Sequence, residues 1–382
     1  SNKERRKDRR AKLLLTRGSV QSSQYKLQQE LACWREAFSV AEARAQQAGV
    51  FTVAELAVGG CLSALSSIRA GFRHIWTTEI DEDKTQLAEA LTQAPCLGDT
   101  FAQDYKQIRA RYGHCSLLKS GQPCRDWSSP GPKTGRGADC DTGWMYTAQV
   151  ECILDLEPDT ACLEQVAHVM KVDKDAVSEI IARLEPVYVV HCAVINVWTY
   201  GDPCNRERLI IIAIHRKFGA LAEDYEVPRG DFHAEHAPQA WMVACEDEDV
   251  PEHLWRTDPI YATPWREPVP GRLHLIGTTG RPGMGYSDFP NAMYSWQSLY
   301  NCQTSHNGGG RRPELNWKSG EPFKRTRLTT IPETIKIASL PSDYEAFARG
   351  VKDDDKFIRE LVNLGWPLRF AKARDSSIMA FL

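Results

Sequence analysis

Residues 187–198 read VYVVHCAVINVW, and residues 208–215 read RLIIIAIH. These are the two most β-rich runs in the chain, since β-branched and aromatic residues dominate them. Nine residues separate the two runs, and Gly201 and Pro203 lie among them. A short connection with turn-forming residues predicts that the two strands pair as an antiparallel hairpin.

The chain before this hairpin alternates short apolar runs with helical patterns from residue 51 onwards. Such alternation is typical of an α/β fold with a mostly parallel central sheet. The antiparallel hairpin would then close this sheet, which restricts the choice of fold. We predict strands over 51–58, 74–80, 115–120 and 160–163, another strand ending near residue 98, and helices over 62–70, 83–92 and 141–156.

The composition is that of an ordinary globular protein. The chain has 382 residues, of which 42% are hydrophobic and 25% charged, which suits one large domain with an insertion. The net charge of −3 does not indicate a polyanion partner, so a nucleic-acid surface would have to be local. Twelve scattered cysteines without a Cys-x-x-Cys pair favour reduced thiols in an intracellular protein. No apolar stretch approaches eighteen residues, so we expect no membrane span.

Four segments differ in sequence texture. Residues 1–50 hold a basic tail, with seven Lys or Arg residues between positions 3 and 12, and a predicted amphipathic helix over 24–46. Such a tail is either a solvated, mobile extension, or an arm that grips phosphate or serves as a nuclear address. The other segments are the predicted α/β domain of residues 51–217, an irregular second domain of residues 218–326, and a regular return over residues 327–382 that ends in a helix from residue 344 to 364.

A ligand-binding turn is predicted after the first strand. Ala57, Gly59 and Gly60 stand where this strand turns into a helix, and glycines there let the backbone approach a ligand closely. Glu79 ends the second strand about twenty residues later, where an acid can accept hydrogen bonds from ribose hydroxyls. Asp99 adds a polar group at the same edge of the sheet, although a helix N-cap is an almost equally ordinary role for it.

Three further residue types occur in an order that suits attack on a pyrimidine ring. Cys124 follows Pro123 just after a predicted strand, so its thiol lies at the carboxyl edge of the sheet, where ligands bind. The attacking species is the thiolate, whose formation neighbouring arginines would favour. Glu164 follows an apolar run and is either a functional acid or a helix N-terminal residue. Arg206 and Arg208 form an Arg-x-Arg pair at the end of the hairpin connection.

No metal site is predicted. His233 and His236 could ligate a metal together with Glu235, but their segment has no helical pattern and no clear further ligand. A solvated loop is therefore the favoured interpretation. The sequence also lacks the signatures of Walker loops, Gly-x-Ser-x-Gly hydrolases and zinc deaminases.

Together these residues resemble the motifs of the cytosine-C5 DNA methyltransferases, in the family's order, over about residues 51–215 and 327–345. The resemblance implies three catalytic residues, Cys124 as nucleophile, Glu164 as acid and Arg208 as base-binding arginine. It implies contacts with DNA or the base for Pro123, Ser128 and Arg206. It implies that the cofactor is bound by Ala57, Gly59, Gly60, Glu79, Ile80 and Asp99.

The family's fold is a Rossmann-like class I methyltransferase sheet of seven strands, mostly parallel and closed by an antiparallel hairpin. The resemblance therefore implies S-adenosylmethionine as cofactor and double-stranded DNA as partner, with a cytosine flipped out of the duplex. It also implies an intracellular location on DNA, which is the nucleus if the source is eukaryotic. Residues 51–217 would be the catalytic domain and the irregular residues 218–326 the target-recognition domain.

The chain departs from the family's pattern at several positions, and two alternatives stay open. One alternative is RNA methylation by the same chemistry, and the other is a catalytically silent paralogue that only binds DNA. The nearest stretch to the closing Gly-Asn motif is residues 363–367, where the residue order differs. The other departures are Ala57 for a phenylalanine, Cys61 and Leu62 for two glycines, Gln165 for the asparagine after the acid, and Cys204 for a glutamine.

Overall fold

The computed structural model describes residues 40, 50–128, 132–262, 267, 269–279, 292–301, 312–313, 325–366 and 368–382. The predicted basic tail and the predicted helix over 24–46 lie outside the described residues, except for Val40. Val40 is buried, and its backbone N–H donates a hydrogen bond of 2.9 Å to Asp343 Oδ2.

Six strands form the main sheet, in the order β2–β1–β3–β4–β7–β5. The strands β2, β1, β3 and β4 are parallel neighbours, whereas β7 runs antiparallel to both β4 and β5. This arrangement confirms the predicted α/β fold with a mostly parallel sheet. The strands before residue 218 are β1 (Thr52–Leu56), β2 (Arg73–Thr77), β3 (Leu117–Ser120), β4 (Thr160–Val166), β5 (Tyr188–Asn196), β6 (Cys204–Asn205) and β7 (Glu207–His215), of which β6 pairs outside the main sheet.

The predicted antiparallel hairpin is confirmed, and its ladder runs from the pair Tyr188–His215 to the pair Asn196–Glu207. The strand β7 lies between β5 and β4, so both of its edges are hydrogen-bonded. Ile210 and Ile212 belong to the core on one face of the sheet, and Ile211 belongs to the core on the other face. A continuous apolar run is what a strand buried on both faces requires.

The predicted strand near residue 98 is not a strand of the described sheet, which has six strands rather than the seven expected. Cys96 forms only an isolated parallel bridge with Thr77. Thr77 N–H donates to the Pro95 carbonyl at 3.0 Å, and Leu97 N–H donates to the Thr77 carbonyl at 2.9 Å. Pro95 has no N–H to donate, and Gly98 adopts a φ of 80°, so the ladder is confined to a few residues.

Helices cover both faces of the sheet. Among the helices before residue 224, three begin at an aspartate whose carboxylate accepts a backbone N–H of the first turn, namely Asp81, Asp104 and Asp173. The helices before residue 224 are α1 (Leu62–Ala70), α2 (Glu82–Thr92), α3 (Tyr105–Tyr112), α4 (Met145–Leu156), α5 (Val169–Val172), α6 (Lys174–Leu184) and α7 (Ala220–Glu223). The apolar side chains of α3, α4 and α6 belong to one hydrophobic core cluster, and those of α1 and α2 belong to a second cluster.

The C-terminal residues return to the sheet as four helices. The single helix predicted over 344–364 is two helices, because the side chain of Asp354 caps a new helix after the first one ends. The four helices are α8 (Ile331–Ile337), α9 (Tyr344–Val351), α10 (Asp355–Leu364) and α11 (Leu368–Phe381).

Helix α11 is fixed to the sheet by a buried polar cluster. Asp375 accepts hydrogen bonds from Ser66 Oγ at 2.5 Å and Ser67 Oγ at 3.0 Å, both in α1. Its carboxylate also lies 3.2 Å from Lys119 Nζ in β3, and neither side chain is exposed. The cluster therefore joins α11, α1 and the centre of the sheet.

The described part of residues 218–330 contains only short elements. Two three-stranded sheets, in the orders β11–β10–β9 and β13–β14–β8, lie there, and β12 pairs with β6. Several 3-10 turns connect these strands. The strands are β8 (Trp255–Arg256), β9 (Ile260–Ala262), β10 (Leu275–Thr279), β11 (Ala292–Tyr294), β12 (Tyr300–Asn301), β13 (Arg312–Pro313) and β14 (Thr326–Arg327).

Three general features concern only the described ranges. None of the helices there combines the length and apolar character needed to cross a lipid bilayer. The ten cysteines in these ranges are all thiols rather than disulfides. No three His, Cys, Asp or Glu side chains of these ranges are grouped so as to hold a metal ion, and His233 and His236 are exposed beside a short turn.

Candidate active site

The carboxyl ends of β3 and β4 meet the amino end of β7 at one edge of the main sheet. Glu164 lies within β4, opposite Ile210 and two residues before the strand ends. The expectation that Glu164 follows the strand was wrong, because β4 continues beyond the apolar run through polar residues that still pair with β7. Its position in a strand also excludes the helix N-terminal alternative for this residue.

Glu164 and Arg208 form a buried ion pair. Glu164 pairs with Ile210, and Arg208 lies two residues before Ile210 in β7, so both side chains project from the same face. Arg208 Nε lies 2.5 Å from Glu164 Oε1, and each side chain is only 10% exposed. A charge-assisted hydrogen bond in such a site is strong, and it fixes one carboxylate oxygen while leaving Oε2 directed elsewhere.

The Oε2 atom of Glu164 faces the turn that follows β3. A Cβ atom placed on Gly121, the first residue of this turn, would lie 3.7 Å from Oε2. Gln165 Nε2 donates to the carbonyl of Gln122 at 3.5 Å, so the two segments are also joined through their next residues. The turn after β3 and the end of β4 therefore form one continuous surface.

Cys124 lies three residues after Gly121 on this turn. Its carbonyl accepts hydrogen bonds from the N–H groups of Trp127 at 3.1 Å and Ser128 at 2.8 Å, which hold the turn compact. The residue is half-buried. Because consecutive Cα atoms are about 3.8 Å apart, the Cα of Cys124 lies within roughly 11 Å of the Cα of Gly121. The three predicted catalytic residues therefore share one edge of the sheet.

Asp126 organises the loop beyond Cys124, a role that sequence reasoning missed. Its buried carboxylate accepts hydrogen bonds from Thr134 Oγ1 at 2.6 Å, Thr142 N–H at 2.7 Å and Thr142 Oγ1 at 2.9 Å. Burial alone would raise the pKa of Asp126, but these hydrogen bonds outweigh it and lower the pKa to about 2. The carboxylate therefore stays ionised at neutral pH and ties the Cys124 turn to residues 134–142.

The residues predicted to contact DNA or the base differ in exposure. Pro123 is exposed, and Ser128 is half-buried with its hydroxyl 3.3 Å from the Arg125 carbonyl. Arg206 is only 7% exposed, and its Nη2 donates to the carbonyl of Asn363 at 3.1 Å. The Arg206 guanidinium therefore contacts the end of α10, so the side chain joins the hairpin to the C-terminal helices.

The turn after β1 has an unusual backbone. Ala57, Gly59 and Cys61 have φ values of 52°, 53° and 59°, and they alternate with two residues outside this left-handed region. Successive residues of alternating hand direct backbone N–H groups into a concave surface that accepts anionic oxygen. The left-handed conformation costs a residue with a Cβ roughly 1–2 kcal/mol, so Ala57 and Cys61 are strained here.

Glu79 occupies this concave surface. Its Oε2 accepts the Gly59 N–H at 2.9 Å, and its Oε1 accepts the N–H groups of Ile80 at 3.0 Å and Asp81 at 3.1 Å. A carboxylate offers about four acceptor sites, so one site on Oε2 remains. Glu79 can thus bind one further donor, such as a ribose hydroxyl.

The other predicted cofactor-binding residues lie around Glu79. Ile80 is 76% exposed, which is unusual for an apolar side chain at the edge of a buried sheet. Asp99 is exposed, and its Oδ1 caps a short 3-10 turn by accepting the Phe101 N–H at 2.9 Å, as the alternative interpretation expected. An acid with spare acceptor capacity, an exposed apolar side chain and a second acid fit the nucleoside part of S-adenosylmethionine.

The structure gives Gly60 a role that the sequence did not reveal. A Cβ atom on Gly60 would lie 2.1 Å from the carbonyl oxygen of Leu361 in α10, a distance that no side chain tolerates. The carbonyl of Gly60 accepts the Tyr344 hydroxyl at 2.7 Å. The absence of a side chain at position 60 therefore allows α9 and α10 to pack on the turn, whatever ligand the turn binds.

Comparison with known proteins places these motifs in a family. The sequence model of the C-5 cytosine-specific DNA methylases matches residues 51–357. The type II methyltransferase M1.ScrFI of Lactococcus lactis subsp. cremoris is 27% identical over 174 residues, which is 44% of this chain and 43% of the relative. The type II methyltransferase M.HpaII of Haemophilus parainfluenzae is 28% identical over 177 residues, 45% of this chain and 47% of the relative. These matches span less than half the length of each relative.

Solved structures show the same fold. The Entamoeba histolytica methyltransferase EhMeth superposes with a TM-score of 0.61 at 13% identity, over 86% of this chain and 98% of the other. A putative DNA modification methyltransferase encoded within a prophage of E. coli gives a TM-score of 0.59 at 12% identity, over 87% and 99%. The S. pombe Dnmt2 methyltransferase gives 0.55 at 10% identity, over 86% and 98%.

Proposed function

The chain belongs to the family of C-5 cytosine-specific DNA methylases, and we propose that it transfers a methyl group to C5 of a cytosine in double-stranded DNA. The observation that carries the proposal is the buried Glu164–Arg208 pair, which faces Gly121 on the turn that leads to the half-buried Cys124. The similarity to two type II methyltransferases and the long segment between Arg208 and Arg327 favour DNA over RNA as the substrate. The protein would accordingly act on DNA inside the cell.

The base must first leave the duplex, because C6 of a stacked cytosine cannot be reached. The Cys124 thiolate then attacks C6 and forms an S–C6 bond, while the electron pair of the C5–C6 double bond moves onto C5. Glu164 Oε2 binds the edge of the ring that carries N3 and the exocyclic amine, and so favours this charge development. Arg208 holds Oε1 in place and binds the base oxygen.

The remaining step replaces a proton at C5. S-adenosylmethionine, when bound, supplies the methyl group that C5 accepts. Transfer of the C5 proton to solvent water then leaves the C5–H electron pair in the C5–C6 bond as the S–C6 bond breaks, which releases the thiolate. Fixed placement of the reacting groups can contribute roughly 7–11 kcal/mol to such a reaction.

The turn after β1 and the end of β2 would hold the cofactor. Glu79 has one acceptor site left for a ribose hydroxyl, and Ile80 offers an exposed apolar surface to the adenine ring. Asp99 would accept the adenine amino group, and the turn of Ala57, Gly59 and Gly60 would approach the methionine part. Pro123, Ser128 and Arg206 are proposed as contacts to the base and the DNA backbone.

The decisive experiment uses a DNA duplex that contains 5-fluorocytosine, in which fluorine cannot leave as the C5 proton does. With S-adenosylmethionine present, the wild type should form a stable covalent adduct, and Cys124→Ser should form none and transfer no methyl group. Cys192→Ser is the matched control, because Cys192 is exposed on the edge strand β5. Absence of an adduct with the wild type at saturating cofactor would overturn the mechanism.

Two measurements separate the alternatives. Methyl incorporation into duplex DNA and into tRNA distinguishes a DNA enzyme from an RNA enzyme of the same chemistry. Binding to DNA that weakens with salt, without any methyl transfer, would identify a protein that only binds. Bisulfite sequencing of host DNA after expression would report activity and the recognised site together.

A further inference from the structure

We infer that Trp366 positions the Glu164 carboxylate, which extends the proposed function by one residue outside its predicted motifs. Trp366 lies between α10 and α11 and is 4% exposed. A Cβ atom on Gly121 would lie 3.1 Å from Trp366 Nε1 and 3.7 Å from Glu164 Oε2. The indole edge and the Oε2 atom of Glu164 therefore face the same point, on the turn that leads to Cys124.

This contact concerns the oxygen that the mechanism needs. Arg208 holds Oε1 of Glu164, so the direction of Oε2 decides whether the acid reaches the base. The indole of Trp366 fills the space beside Gly121 into which Oε2 could otherwise turn. Its Nε1–H is also a hydrogen-bond donor, and a carboxylate oxygen is an acceptor. Trp366 thus restricts Oε2 both by volume and by polarity.

The plane of the indole is itself fixed from two sides. The Phe370 ring is stacked on it, with centroids 6.0 Å apart and an angle of 22° between the planes. The Arg374 guanidinium lies 3.9 Å from the centroid of the indole, and Arg374 is paired with Asp375 at 2.5 Å. A cation over an indole face is attracted to the ring, and more strongly where water is excluded.

Helix α11 and the residues just before it lie against β3 and the turn that follows it. Asp375 in α11 contacts Lys119 in β3 at 3.2 Å, and Trp366, before α11, faces Gly121, two residues after Lys119. On the other side, a Cβ atom on Gly365 would meet the Leu62 side chain at 2.6 Å, so the backbone beside Trp366 packs on the first residue of α1, directly after the turn that follows β1. Trp366 therefore lies where the turn proposed for the cofactor meets the turn of the nucleophile.

The experiment combines four variants of the full chain. Trp366→Phe removes the N–H and part of the ring, and Gly121→Ala inserts a methyl group between the indole and the acid. Each should lower kcat roughly 10- to 100-fold, as displaced catalytic groups do, and slow adduct formation with 5-fluorocytosine DNA, with KM for DNA nearly unchanged. The double variant should recover part of the Gly121→Ala loss, because the smaller ring makes room for the methyl group.

Trp76→Phe is the matched control for the loss of a buried indole. Trp76 is fully buried against Tyr105 in the core of the opposite sheet face. All rates are taken per folded molecule, measured by denaturation of each variant. If the wild type and Trp76→Phe form the adduct while Trp366→Phe and Gly121→Ala match them, the role of Trp366 is refuted alone. If the wild type forms no adduct, the proposed function fails first.

Discussion

The main sheet and the irregular residues 218–330 are stabilised by different groups. In the sheet, backbone ladders fix each strand, and aliphatic side chains such as Ile210, Ile212 and Leu117 fill the space between strands and helices. In residues 218–330 the strands are two to five residues long, and their places are set by arginines buried among aromatic rings. We therefore expect the free energy of folding to depend on many similar contacts in the sheet and on fewer contacts in the irregular region.

Arg312 and Arg327 are the centre of the irregular region. Arg312 is fully buried, with its guanidinium 4.5 Å from the Tyr300 centroid and 5.6 Å from the Trp296 centroid. Arg327 lies opposite Arg312 in the ladder between β13 and β14, and its guanidinium is 4.9 Å from the Trp296 centroid. It also binds both carboxylate oxygens of Glu333 at 2.8 Å. These two guanidinium groups are engaged within the protein and do not face DNA phosphates.

The largest effect on the free energy of unfolding is expected for the buried Arg327–Glu333 ion pair of the irregular region. Arg327→Met leaves the buried Glu333 carboxylate without its cation, which should cost about 3–5 kcal/mol of unfolding free energy. Urea denaturation measures the loss, and Arg349→Met is the control, since its pairs with Glu345 and Asp353 lie near the surface and contribute about 0–1 kcal/mol. Equal losses in the two variants would contradict the contrast between the regions.

The connection of the hairpin contains one buried acid, Asp202, and the stability of the protein should depend on pH through this single group. Burial raises the pKa of Asp202 to about 7, and the opposing effects of Arg369 and a hydrogen bond from Ser339 do not offset it. An acid whose pKa is raised on folding binds more protons in the folded state, so stability falls as pH rises from about 4 to about 7. Asp202→Asn should remove this slope.

At pH 8 Asp202→Asn should be more stable than the wild type by about 2–4 kcal/mol, whereas the two proteins should be equally stable near pH 4. Thermal or urea denaturation at both pH values provides the measurement, and the pH 4 comparison serves as the internal control. Parallel pH profiles of the two proteins would show that Asp202 does not titrate on folding.

Helix α1 and the closing hairpin could be predicted from sequence because a single local pattern determines each. The apolar spacing of residues 62–70 and the β-branched runs around residues 190 and 211 are read directly from the chain. The strand β4 was predicted too short because Glu164 and Gln165 are polar and yet pair within the sheet. Their pairing partner lies more than forty residues away, and no local pattern contains it.

The sequence predicts the residue types of the candidate site, but it does not predict the residues that hold them in position. The order of Cys124, Glu164 and Arg208 follows from motifs in the chain, although their roles remain predictions. Asp126 and Trp366 act through contacts that form only when distant segments meet, so spacing gives no signal for them. For Trp366 the one clue is the altered order of residues 363–367, which marked that stretch as unusual without saying what it touches.

The smallest effects on the free energy of unfolding are expected for two conservative substitutions, one in each region. Ile212→Val in the sheet removes one methylene group and should cost about 0.5–1.5 kcal/mol. Arg312→Lys keeps the charge but loses the planar group that stacks on Tyr300 and donates to the carbonyls of Ser295 and Leu299, so about 2 kcal/mol is expected. Urea denaturation measures the loss of unfolding free energy in both variants. A smaller loss for Arg312→Lys than for Ile212→Val would contradict the proposed difference between the irregular region and the sheet.

The two-residue ladder between β6 and β12 has a mechanical consequence. It joins Cys204 and Asn205 to Tyr300 and Asn301, and the very next residues after Asn205 lead into Arg206 and Arg208. A displacement of Tyr300 is transmitted along about four residues to the guanidinium that holds Glu164, unless the ladder breaks. We therefore expect the position of the irregular region to influence the geometry of the buried carboxylate.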